Sequence, residues 1–64
     1  MATLFDDYKK AEVVADINNA SERNDVRDGL QEADDRFFYT PTLRQDGKYV
    51  VTITGADGEF VGLL

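Results

Sequence analysis

The chain has 64 residues with no cysteine and no histidine, which removes disulfides, thiolate nucleophiles, the commonest general base and the commonest transition-metal ligands. Thirteen acids against seven bases give a formal net charge of -6, which argues against direct contact with nucleic acid or an anionic membrane. No apolar run approaches a membrane span and the first residues lack a signal-peptide pattern, so one soluble, cytoplasmic domain over residues 1–64 is expected.

A chain this short sits near the balance between burial and conformational entropy, so association with a partner or a second copy is a natural way to add stability. Its acids are concentrated in the first half: ten of the thirteen lie in residues 1–36.

Residues 3–19 contain no Gly or Pro and predict a first helix, with Thr3 as N-cap and Asp6 and Asp7 in the first turn, where the helix dipole favours acids. Leu4, Tyr8, Ala11 and Ala15 form one apolar stripe with Phe5 at its edge, while Val13, Ile17 and Ala20 lie nearly opposite. Both sides call for cover, one from the sheet and the other from a second helix or an external partner. The turn-forming run Asn18-Asn19-Ala20-Ser21 is expected to break the helix. A second helix is predicted over 24–35 with Val26, Leu30 and Ala33 as its buried stripe, although Gly29 inside it costs about 1 kcal/mol relative to alanine.

The second half is rich in aromatic and β-branched residues and carries two Asp-Gly turns, so strands are expected over about 37–44, 48–54 and 59–64 as an antiparallel meander. Register follows from the first turn. With Gln45-Asp46-Gly47 as a three-residue loop and Gly47 left-handed, Leu43 faces Tyr49, Pro41 faces Val51 and Tyr39 faces Ile53, which keeps one face apolar and the other wet. Copying that loop at Ala56-Asp57-Gly58 places Val61 and Leu63 on the core face with Phe60 and Leu64 outside; a four-residue loop reverses the assignment. The fold expected is therefore α+β, two N-terminal helices packed on a three-stranded antiparallel sheet in the order ααβββ.

No motif specifies a catalytic residue, a cofactor or a metal site. The Asp-Gly turns lack the alternating oxygen ligands of a calcium loop, and paired acids need a pocket that this length has little room to build. Aromatic residues suggest a stacking platform for single strands only where a basic groove surrounds them, and the charge here has the opposite sign.

Two surfaces stand out. Asp25, Asp28, Glu32 and Asp35 would fall within roughly 80° of arc on the second helix, an acidic rail suited to a partner with a basic surface. Phe38, Val50, Phe60 and Leu64 would form an apolar patch beside the exposed last strand. The expected function is that of a small acidic, non-enzymatic protein-binding protein, an inhibitor or modulator of a nucleic-acid-handling protein or complex that imitates nucleic-acid phosphates, in the manner of phage-encoded accessory proteins. The alternative is a self-associating structural or regulatory subunit, a homodimer formed through its last strand or helix one.

Overall fold

The computed structural model describes residues 2–64. One long helix, α1 (Tyr8–Arg27), is followed by a short 3-10 turn (Ala33–Asp35) and three strands, β1 (Phe38–Leu43), β2 (Tyr49–Thr54) and β3 (Phe60–Leu63). The α+β class and the antiparallel β1-β2-β3 sheet match expectation, but the second helix does not form.

Three local interactions account for the difference. At the start, Asp7 rather than Thr3 is the N-cap: its backbone is extended and its Oδ1 accepts from Lys10 N at 2.8 Å. The residues before it run as an extended segment, with Phe5 and Tyr49 exchanging backbone hydrogen bonds at 2.9 Å. Across the expected break, the asparagines find partners that let the helix continue. Asn18 Nδ2 donates to Val14 O at 2.9 Å, while Asn19 reaches β1 and bonds Tyr39 twice, accepting from its N–H and donating to its C=O, both at 2.8 Å. Asn and Ser disfavour helix interiors because they compete for local backbone groups; here Asn19 is engaged with a distant strand instead.

The end of α1 is set by Gly29. Its φ of 77° is left-handed, Gly29 N donates to Val26 O at 3.2 Å and Leu30 N to Asp25 O at 2.9 Å, the paired bonds of a Schellman stop. A glycine read as a flaw inside a second helix is the terminator of the first. Val26 consequently belongs to α1, and Leu30, expected to be buried, is 77% exposed.

In the sheet, β1 and β2 pair with Leu43 opposite Tyr49, Pro41 opposite Val51 and Tyr39 opposite Ile53, the register expected from a three-residue loop. Gly47 has φ 84°, and Asp46 Oδ1 holds Lys48 N at 3.0 Å. The second hairpin repeats this chemistry with Gly58 at φ 90° and Asp57 Oδ1 on Glu59 N at 3.1 Å. Beyond that turn a bulge intervenes: Thr54 pairs with Phe60 but Ile53 with Gly62, so the register slips by one residue. Leu63 then lies opposite Thr52, on the face away from α1, and Leu64 turns inward to pack against the core. The expected outward position of Leu64 is thereby corrected.

The core is small. Ala11 and Ala15 bring α1 close against Val51, and Phe5, Val14, Tyr39, Tyr49 and Leu64 surround them. Tyr8 meets Tyr49 edge to face at 5.8 Å. The free edge of β2 beyond β3 is completed by the chain's own start: Leu64 N donates to Val51 O at 3.0 Å, Leu64 O accepts from Thr3 N at 2.9 Å, and Phe5 continues the line beside Tyr49.

Two substitutions test this account. Asn19→Ala strips partners from both backbone groups of Tyr39, and its urea midpoint should fall by the equivalent of about 2–4 kcal/mol. Gly29→Ala should cost about 1 kcal/mol by the same measurement, because a Cβ meets nothing within 4 Å there and only the left-handed backbone is penalised.

Candidate interaction surface

Helix and hairpins give the molecule two ends. Tyr8 and Phe5 sit at Tyr49, so the start of α1, the end of β1 and the first hairpin share one pole. Glu22 Oε1 accepts from Phe37 N at 2.6 Å, and Asp34 lines one cleft with Ala56, Asp57 and Glu59, which brings the end of α1, the 3-10 turn and the second hairpin together at the other. The molecule measures 39 × 21 × 17 Å, and a 20-residue helix of about 30 Å spans most of its long axis.

The two poles differ in charge. Around the second hairpin lie Glu22, Asp25, Asp28, Glu32, Asp34, Asp35, Asp57 and Glu59 against Arg23, Arg27 and Arg36, eight acids and three bases, or a net of -5. At the first hairpin Asp6, Asp7, Glu12 and Asp46 are balanced by Lys9, Lys10, Arg44 and Lys48. Three of these pairs are in contact, Lys48–Asp6 at 2.7 Å, Lys9–Glu12 at 3.3 Å and Arg44–Asp46 at 3.5 Å. Lys48 holds the Asp6 carboxyl below the usual carboxylate range through its hydrogen bond and its charge. The molecule is therefore a charge dipole with its negative end at the second hairpin.

The expected acidic rail needs correction in its geometry. With no second helix, Asp25 lies in the last turns of α1, Asp28 is its C-cap, Glu32 precedes the 3-10 turn and Asp35 ends it. They share a pole rather than a helical face, and Asp34, Asp57 and Glu59, which form no part of the expected rail, join them. Sequence pattern could not supply this, since Asp57 and Glu59 reach the pole only through strand pairing.

Apolar side chains adjoin the acids. Phe38 and Phe60 sit on either side of Thr54 across the three strands, on the face away from α1. Phe60 is 68% exposed, and the Arg36 guanidinium lies 4.1 Å over the Phe38 ring. Val50, expected beside them as a contact residue, is only 3% exposed although it points away from the helix. Leu64, half-buried and packed against the core, lies on the opposite face of the sheet. Of the four patch residues, the structure brings together Phe38 and Phe60.

The cleft lined by Asp34, Ala56, Asp57 and Glu59 has a volume of about 320 Å³ and opens widely to solvent. Among the described residues no group of three or more carboxylates is placed to hold a metal ion, and no helix is long and apolar enough to cross a membrane. Comparison with family models, curated proteins and solved structures finds no match for the chain.

Tyr39, which joins the core to the Asn19 anchor, has its phenol pushed up from 10.0, first by burial and then by the charge of Glu22. The folded state therefore keeps this proton at a pH where the unfolded chain has lost it. The associated stability is complete below about pH 10 and is lost as pH rises toward the folded value. Tyr39→Phe should accordingly flatten the decline in urea midpoint between about pH 9 and about pH 11, with tyrosinate absorbance followed in parallel.

Proposed function

We propose that this protein works in the cytoplasm without turnover, binding a protein partner through its acidic pole as an inhibitor or modulator of a nucleic-acid-handling protein or complex. The observation that carries the proposal is the coincidence of the net charge with the exposed Phe38 and Phe60 at one end of the molecule. A diffuse negative charge serves solubility equally well at every point of a surface. Charge gathered at one end orients the molecule in the field of a basic partner before contact, and adjacent aromatic side chains then supply area that loses water on docking.

The acids that meet such a partner are Asp25, Asp28, Glu32 and Asp35 together with Asp34, Asp57 and Glu59. Their carboxylates would stand where a nucleic acid presents phosphates, so the partner's cationic side chains exchange one anionic ligand for another and nucleic acid competes for the same surface. Phe60, on the bulged last strand, projects beside them as the anchor.

The partner recovered by affinity capture from the native host should bind the purified protein with a steep salt dependence that nucleic acid reproduces in competition. Reversing Asp34 and Asp57 together to lysine should weaken binding at least about tenfold and reduce the salt slope, whereas Glu12→Lys at the neutral pole should leave affinity within about threefold. Phe60→Ala should cost about 1–3 kcal/mol of binding without changing the salt slope. Equal responses at the two poles, or binding indifferent to nucleic acid, would refute the proposal.

A further inference from the structure

The outermost line of α1 is apolar. Val13, Ile17 and Ala20 face directly away from Ala11 and Ala15, the residues that touch the sheet, and Ile17 is 64% exposed. On a helix with one solvated side, the position farthest from the core ordinarily carries a charged or strongly helix-forming residue. Here it carries two β-branched aliphatic side chains, unfavourable both for hydration and for helix propensity. No second helix arrives to cover them, because Gly29 turns the chain away.

The charges along this stripe indicate what does. Asp16 and Arg23 lie on the same flank, seven residues and about 10 Å apart, too far to meet each other. Among the described residues neither has an ion-pair partner. A second α1 laid antiparallel across a two-fold axis near residues 18–19 brings Ile17 over Ala20 of the partner and Val13 over Asn24 of the partner. Asp16 then lies beside Arg23 of the partner, and the symmetry repeats the pair farther along the same flank, across the axis. In a parallel arrangement the same flanks do not meet with opposite signs. We infer that α1 is a self-association surface, and that the protein forms an antiparallel two-fold dimer through Val13, Ile17 and Ala20 with reciprocal Asp16–Arg23 ion pairs.

This inference does not depend on the acidic pole, and the isolated protein tests it. The last strand is the other candidate for self-pairing; it has four residues and a bulge, both of which discourage strand addition. The helix stripe has neither safeguard.

Sedimentation equilibrium of the full chain from about 10 μM to about 1 mM should show a monomer–dimer equilibrium, since a single-stripe interface falls well below the size of tight complexes. Ile17→Lys should leave the protein monomeric over this range with an unchanged urea midpoint for the monomer. Asp16→Arg and Arg23→Asp should each weaken dimerisation roughly tenfold by placing like charges together, and the double exchange D16R/R23D should restore it to within about threefold. A wild-type protein that stays monomeric throughout overturns the inference. So does a dimer that survives Ile17→Lys, or single charge variants that associate as well as the wild type.

Discussion

One side chain holds the two layers of this protein together. Asn19 presents its amide to Tyr39 as a neighbouring strand would present a peptide group, satisfying N–H and C=O at once, and Glu22 does the same for the N–H of Phe37. Pro41, two residues further along the same edge, has no N–H to satisfy. The outer edge of β1 is thus closed by the helix and by proline, and the helix is fixed in rotation and height by the same bonds. Among the described residues only Ala11, Ala15, Val50 and Val51 are buried apolar residues, so hydrophobic contact alone specifies little about where α1 should sit. Directional hydrogen bonds supply that specification.

The strand half of the fold was legible from residue order because its determinants are local. Asp46-Gly47 and Asp57-Gly58 dictate their loops through a left-handed glycine and an aspartate that binds two residues ahead, and alternation of side chains then fixes the β1–β2 register. The helical half misled for the opposite reason. Asn18 and Asn19 carry a turn signal by propensity, yet the group that draws Asn19 into the helix is Tyr39, invisible to any short window. Gly29 carries two meanings, interior flaw or terminator, and the Schellman bonds distinguish them. The apolar spacing of Val26, Leu30 and Ala33 was real as a pattern and empty as a prediction, since the chain never becomes helical beyond Arg27 apart from one 3-10 turn. At the last strand a bulge undid a sound turn assignment, because a one-residue slip moves every following side chain to the other face.

The candidate site shows the same division. Acidic enrichment was visible in composition, but its assembly at one pole depends on pairings between distant segments, which add Asp34, Asp57 and Glu59 and replace a helical rail with a cluster on turns. Phe38 and Phe60 are exposed as expected of a patch beside the last strand, while Val50 is buried. A radius of gyration of 12.3 Å, against about 11 Å for a compact chain of this length, reflects the elongated form that keeps the charged and neutral ends apart.

The junction of Thr3 with Leu64, continued by Phe5 against Tyr49, has a bearing on the order of folding. Phe5 and Tyr49, and Thr3 and Leu64, come from opposite halves of the described residues, with the whole helix and β1 between them. Until both segments dock, Tyr49 and Val51 lack these backbone partners and the first hairpin carries a bare flank. Contacts between residues so far apart in the chain form only after the local turns and the helix are in place, so this junction is the closing step of the sheet.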